Sequence, residues 1–224
     1  ALYPLGEFAR LDAVLNEASA LAEAIGDQRR LGRALVYQAL VYSLLGEHAR
    51  AIEAGGCACR IAEALGNFEL HDVANHSLGL ARWWSGNPRR ATEPLRVAIA
   101  RAGGAPLSGR SGLAGLPAVL ARYALAMFLA ELGEFTEAIA EGEEGLRIAQ
   151  AAGHSNSEVW ARFGLGYAHL RHGDFAQASR VLEQGLSVCR ATEIPLALPF
   201  VATSLGSAYL WSGRATDAVP LLEE

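Results

Sequence analysis

There is no lysine in this 224-residue sequence; all 19 basic residues are arginine. The base composition of a GC-rich gene accounts for that without any demand for guanidinium chemistry. No basic block exists either, and the formal net charge is −5, which excludes nucleic-acid binding by bulk electrostatics. Cysteine is scarce: three residues are too few for a disulfide framework. Cys57 and Cys59 stand two apart on an expected helix, where side chains do not face each other, and Cys189 is far along the chain. Reduced thiols in a cytoplasm fit this usage. No secretory leader is expected, because Ala1-Leu2-Tyr3-Pro4 has neither a charged start nor an apolar run. The first residue is not Met, so a trimmed chain is expected. Long apolar runs are absent but for one. The stretch from Ile194 to Gly213 carries no charge and is long enough to span a bilayer. Its two prolines, Pro195 and Pro199, and the polar Thr203, Ser204 and Ser207 argue instead for a buried helix.

What the sequence has in plenty is glycine, and the glycines are periodic. Gly6, Gly46, Gly86, Gly133, Gly173 and Gly213 follow one another at intervals of 40, 40, 47, 40 and 40. Five residues after the turn glycine stands an alanine (Ala51, Ala91, Ala138, Ala178, Ala218), with Leu11 as the exception. Twelve after come Ala18, Ala58, Ala98, Gly145 and Gly185; seven before come Ala39, Gly79, Ala126, Gly166 and Gly206. Small residues at fixed places let two helices approach closely, so each unit reads as a helical hairpin. The stretch LGEFTEAIAEGEEGLRIAQAAG, Leu132 to Gly153, is one turn and one helix. Ile139, Gly142, Leu146 and Ala149 mark its inner face, and Glu141, Glu143, Glu144 and Arg147 the solvated one. Gly26, Gly66 and Gly153 supply the stop for the second helix of a pair. Pro88, Pro117 and Pro195 open helices, whereas Pro94 lies inside one and predicts a kink.

The pattern Gly206-x-x-Tyr209-x-x-x-Gly213-x-x-x-x-Ala218, and its match Ala39-x-x-Tyr42-x-x-x-Gly46-x-x-x-x-Ala51, resembles the tetratricopeptide repeat (TPR) along the whole chain. The archetype has a period of about 34 residues; longer helices account for the difference. The second half, from LARYALAMFLAELGEF onward, is similar to the C-terminal repeat arrays of large bacterial proteins. Those join a class III adenylate or guanylate cyclase domain and a P-loop ATPase to such arrays. Similar arrays occur in LuxR-type ATP-dependent transcription activators. The resemblance implies a regulatory, protein-binding region, with the cyclase and ATPase chemistry in domains this sequence lacks.

No catalytic constellation emerges. His71, Asp72 and His76, and His169, His172 and Asp174, cluster locally, but no H-E-x-x-H occurs and repeat positions account for them. Ala100 to Pro117, ARAGGAPLSGRSGLAGLP, is glycine-rich without a G-K-[ST] ending or a preceding strand, and reads as an enlarged inter-repeat loop. No cofactor and no metal are therefore expected. By the TPR resemblance, the first helix of each hairpin lines a concave groove. Register places Arg33, Val36, Tyr37 and Leu40 there, then His76, Leu80 and Trp83, then Tyr123, Met127 and Glu131, then Phe163, Tyr167 and Arg171, and last Thr203, Ser207 and Trp211. Such a set, aromatic with a few charges, suits a peptide or partner helix; inter-hairpin core is the alternative for any one of them. The chaperone-binding TPR subclass holds a terminal carboxylate with Lys and Asn, and without lysine that function does not fit.

The expected architecture is all-α: a right-handed TPR-like α-solenoid of antiparallel helix hairpins, about 40 residues per repeat, as one domain over 1–224. Its units are a partial repeat 1–26, repeats 27–66, 67–116 with the loop 103–117, 117–153 and 154–193, and an incomplete repeat 194–224. The expected pairs are 28–45 with 48–65, 68–85 with 88–102, 117–132 with 135–152, 155–172 with 175–192, and 195–212 with 215–224. Apolar ends, Leu2, Phe8 and Leu11 at one and Val219, Leu221 and Leu222 at the other, predict continuation or pairing between copies. The expected function is a non-catalytic cytoplasmic interaction module binding a protein or peptide, with no nucleic acid and no membrane. The alternative is an effector-sensing arm of a transcription activator.

Overall fold

The computed structural model of the protein describes residues 7–102 and 114–223. Gly6, Leu2, Glu224 and the expected loop as far as residue 113 lie outside them. All regular structure among the described residues is helical. In residues 1–113, one compact unit, α1 (Phe8–Ala24) precedes the hairpins α2 (Gln28–Leu44) with α3 (His48–Ala64) and α4 (Phe68–Trp84) with α5 (Pro88–Ala102). A second unit, 114–224, holds α6 (Pro117–Glu131) with α7 (Phe135–Ala151), α8 (Ser155–His172) with α9 (Phe175–Ala191), and α10 (Leu198–Trp211) with α11 (Ala215–Glu223). Within each unit successive helices pack together, and first helices also pack on first helices: α2 on α4, α6 on α8, α8 on α10.

The recurring Gly-polar-aromatic motif is a stop and a start in three residues. Gly173 takes the left-handed conformation, φ 89°, and ends α8. Asp174 then donates its N–H to the His169 carbonyl, 3.0 Å, closing the turn in the Schellman manner. The same Asp174 caps α9, its carboxylate accepting from the Gln177 N–H at 3.1 Å. Asp27, Asn67 and Asn87 cap other helices in the same way. Pro94 lies within a helix that runs unbroken as Pro88–Ala102. A proline there leaves the carbonyl four residues back, that of Arg90, without its helical donor. Arg82 from α4 supplies the substitute, Nη1 donating to the Arg90 oxygen at 2.9 Å.

The opening of α10 departs from expectation. The helix begins at Leu198, not at Pro195, and Ile194–Ala197 form a turn closed by the Ala197 N–H on the Ile194 carbonyl, 3.1 Å. Pro199 has no N–H to give the Pro195 carbonyl, so an α-turn starting at 195 would lose its first bond. The uncharged run thus resolves into a turn and a short helix; among the described residues no helix is long and apolar enough to cross a membrane.

Small residues set the helix spacing. A Cβ on Gly166 would fall 2.5 Å from Leu182 Cγ, and one on Gly206 would fall 2.8 Å from Leu222 Cδ2, both within a hairpin. Between hairpins the approach is backbone to backbone: a Cβ on Gly164 of α8 would meet the Tyr123 carbonyl oxygen at 2.7 Å and its Cα at 2.8 Å. Fixed spacing also allows polar ties from one repeat to the one before. Tyr42 donates to Asn16 Oδ1 at 3.2 Å and Tyr209 to Glu183 Oε1 at 2.7 Å, each 26 residues apart.

Gly164→Ala is expected to destabilise the protein by about 1–3 kcal/mol, since backbone cannot yield as a side chain can. Gly56→Ala, where the added methyl meets only the flexible Arg60 at 3.7 Å, is expected to stabilise by about 0.5–1 kcal/mol through helix propensity. Urea unfolding of the two variants checks the contrast; equal effects would remove close approach as the organising constraint.

Candidate functional site

In the first unit the expected groove residues divide by depth. Val36 and Leu40 are buried in one core cluster with Leu70, Val73 and Ala74, and Tyr37 and Leu80 pack against it. His76 is buried as well. Arg33 stays exposed, and Trp83 is partly covered and meets Trp84 edge-on at 4.8 Å. Burial pushes the Tyr37 hydroxyl above its usual range, and the Arg33 charge beside it opposes that rise.

The second unit gathers its candidates more tightly. α6, α8 and α10 lie side by side and turn a row of aromatic rings along their shared face. Tyr123 stacks on Trp160 at 5.1 Å, Trp160 meets Phe163 edge-on at 6.0 Å, and Phe200 of α10 reaches both, at 5.9 and 5.8 Å. Phe163 also meets Tyr167 at 6.2 Å. Such tilted and edge-on contacts are the geometry aromatic quadrupoles favour. Tyr123, Met127 and Phe163 are buried, while Trp160, Tyr167 and Phe200 remain partly open to solvent.

A polar group borders the rings. The Tyr167 hydroxyl donates to one oxygen of Glu131, and Arg171 Nη2 holds the other at 3.3 Å. α6 and α8 each contribute to this triad, and all three residues belong to the set read from register. Burial and then the Glu131 carboxylate push the Tyr167 hydroxyl far above its ordinary range. Thr203 and Ser207 share the outer part of α10, where the Ser207 hydroxyl bonds the Thr203 carbonyl at 2.9 Å. Trp211, 52% exposed, stands apart from the row and meets Phe175 of α9 at 5.7 Å.

Trp160 and Phe200 did not stand out in the sequence pattern. The signal was present: Trp160 precedes Gly173 by the same offset as Phe200 precedes Gly213 and Arg33 precedes Gly46. Glu141 is a second difference. It turns inward, away from the solvated face expected for it, and pairs with Arg122 of α6.

The local histidine clusters have structural surroundings. His172 packs on the Phe135 ring at 4.9 Å, and burial holds His169 below its usual range. Among the described residues no group of three His, Cys, Asp or Glu is placed to hold a metal ion. Burial also pushes the Cys59 thiol up to about 11, which keeps it protonated and weakly nucleophilic near neutrality.

Residues 118–191 match the family model of the tetratricopeptide repeat. No curated protein matches the chain. Among solved structures, a Rap protein complexed with competence and sporulation factor aligns over 99% of this chain and 61% of its own, at 16% identity and a TM-score of 0.72. BtubC from P. vanneervenii aligns over 96% of this chain and 88% of its own, at 19% identity and a TM-score of 0.69. A signal-transduction ATPase with a tetratricopeptide repeat sensor, from Pyrococcus horikoshii, aligns over 87% of this chain and 30% of its own, at 14% identity and a TM-score of 0.60. The fold is therefore an all-helical TPR-like array of hairpins that includes a tetratricopeptide repeat region.

The Tyr167 environment has a pH signature. A hydroxyl whose folded-state pKa is raised leaves the native state holding a proton that the unfolded chain gives up near its ordinary value of 10. Its contribution is complete below that pH and is lost as pH rises past it. Tyr167→Phe is expected to make the alkaline loss of stability shallower than in the wild type. Thermal melts between pH 9 and the alkaline limit check this; parallel curves would remove Tyr167 from the balance.

Proposed function

We propose that this protein is a non-catalytic interaction module that holds a peptide or a segment of a partner protein on the first-helix face of α6, α8 and α10. One observation carries the reading: three consecutive hairpins align Tyr123, Trp160, Phe163, Tyr167 and Phe200 into a row, bordered by the Glu131–Arg171 ion pair. Partly open aromatic rings on rigid helices bury large area at low entropic cost, and a flanking ion pair selects orientation. Arg33 and Tyr37 offer a smaller version of the same chemistry in the first unit.

The module belongs, on this reading, to a larger bacterial signalling protein, with any cyclase or ATPase chemistry supplied by other domains. The resemblance of the second half to the arrays of such proteins supports it. An effector-sensing arm is the second reading. It is favoured by two fold neighbours, one an ATPase with a tetratricopeptide repeat sensor and one a Rap protein complexed with competence and sporulation factor. A cytoplasmic location suits both.

Peptides selected from a random display library against the protein test the face. Arg171→Ala with Trp160→Ala is expected to weaken them by about tenfold, the loss of roughly 1.4 kcal/mol, while circular dichroism stays unchanged. Selected peptides that bind the folded double variant as well as the wild type would overturn the reading.

A further inference from the structure

A second recessed surface lies on the other helices of the same unit. α7 and α9 both pack on α8, and between them opens a cleft of about 380 Å³. That is within the size range of ligand sites, about 300–1,000 Å³. Arg162 and Leu165 form its floor from α8; Arg147 and Gln150 line one wall and Arg180 and Gln184 the other. Arg162 is 8% exposed. Its Nε and Nη2 donate to Glu158 Oε1 at 3.0 and 2.8 Å, and its Nη1 donates to the Gln184 amide oxygen. A guanidinium has five N–H donors, so the plane is held rigidly with donors still to give. Arg147 is fixed by a two-point pair with Glu144, and Arg180 is oriented by Gln177. Glu143, which is exposed, is the one carboxylate of the lining.

The repeat does not require this composition. Counting from the turn glycines, Arg162, Arg180, Gln184 and Gln150 correspond in the first unit to Asn75, Glu93, Val97 and Glu63. Of the cleft's arginines, Arg147 alone keeps its type there, as Arg60. The corresponding positions of the first unit thus offer two acids and no buried cation. The helices, turns and small-residue seams are equivalent in the two units, so the convergence of three arginines is particular to the cleft of 114–224.

We propose that the α7–α8–α9 cleft binds an acidic peptide segment. Two or more of its carboxylates are taken by Arg147, Arg162 and Arg180, its backbone pairs with the side-chain amides of Gln150 and Gln184, and Leu165 forms an apolar floor. Guanidinium forks match carboxylates in two-point geometry, and the amides suit a chain better than a bare ion. The site is distinct from the aromatic row, which lies on the faces of α6, α8 and α10.

Fluorescence anisotropy of a labelled oligoglutamate peptide with the full chain, at low ionic strength, tests it. The wild type is expected to bind, and the oligoglutamine counterpart to fail. Reversing the two exposed arginines, Arg147→Glu with Arg180→Glu, is expected to weaken binding by about tenfold or more. Neither residue is buried, so folding is retained and circular dichroism verifies it. Arg171→Glu, on the other face, is expected to leave binding unchanged. No binding by the wild type, equal binding by the double reversal, or an equal loss with Arg171→Glu would each overturn the proposal. Displacement of the peptide by inorganic phosphate at matched charge would overturn it too, and assign the cleft to a small oxyanion.

Discussion

The approach of α8 to α6 governs what the second unit can display. At Gly164 a Cβ would sit 2.7 Å from a backbone oxygen of α6, so the two helices meet along their main chains and not through interposed side chains. A close-packed seam of that kind admits one register, because sliding either helix would drive side chains into backbone. Once the register is set, positions far apart in sequence become neighbours by construction. Tyr167 finds Glu131 across 36 residues and Arg171 finds it across 40. Trp160 of α8 lands beside both Tyr123 of α6 and Phe200 of α10. The aromatic row is a consequence of the glycine.

The hairpins were readable in the sequence because their signals are local. A glycine that must take positive φ, a capping residue next to it and small residues at fixed offsets are each visible within a few positions. Expected and observed helices accordingly agree to within a residue or two, except where prolines intervene. Pro199 could not supply the bond that a helix from Pro195 needs, and counting periodicity does not register a missing N–H. The site was legible only in outline. The sequence placed Glu131, Tyr167 and Arg171 on one face, and the structure joins them. Periodicity could not tell a lining residue from a packed one: Val36, Leu40, His76, Tyr123, Met127 and Phe163 all lie within the layer, buried to 6% exposure or less. The small residues that make the repeat recognisable also draw the helices so close that such positions are covered.

Contacts between repeats were harder still to foresee. The Tyr42–Asn16 and Tyr209–Glu183 bonds each span 26 residues, and neither partner carries a local pattern that names the other. Arg82 serving the carbonyl orphaned by Pro94 is of the same kind. The sequence shows that a proline will remove a bond; only the packing of α4 on α5 shows what replaces it. That replacement lets the helix continue past the proline to Ala102.

A repeat fixes backbone placement and leaves side-chain chemistry open, so departures from the repeat are where individual function is written. The column that Arg162 occupies ahead of Gly173 illustrates this. Counted back from each turn glycine in the same way, it holds Leu35, Asn75, Arg122, Arg162 and Ala202 in successive units. Ala202 is buried at 3% exposure and satisfies the seam with no polar side-chain atom at all. Arg162 at the equivalent place must surrender most of its hydration, and its partners are a single carboxylate oxygen and an amide. Replacing such a buried ionic arrangement with apolar side chains is often neutral or stabilising. Stability of the hairpin therefore gives no reason for an arginine there, whereas a cleft whose walls add Arg147 and Arg180 does. The aromatic row follows the same logic, since at the column of Trp160 and Phe200 the other units hold Arg33, Val73 and Leu120, and only these two present partly open rings.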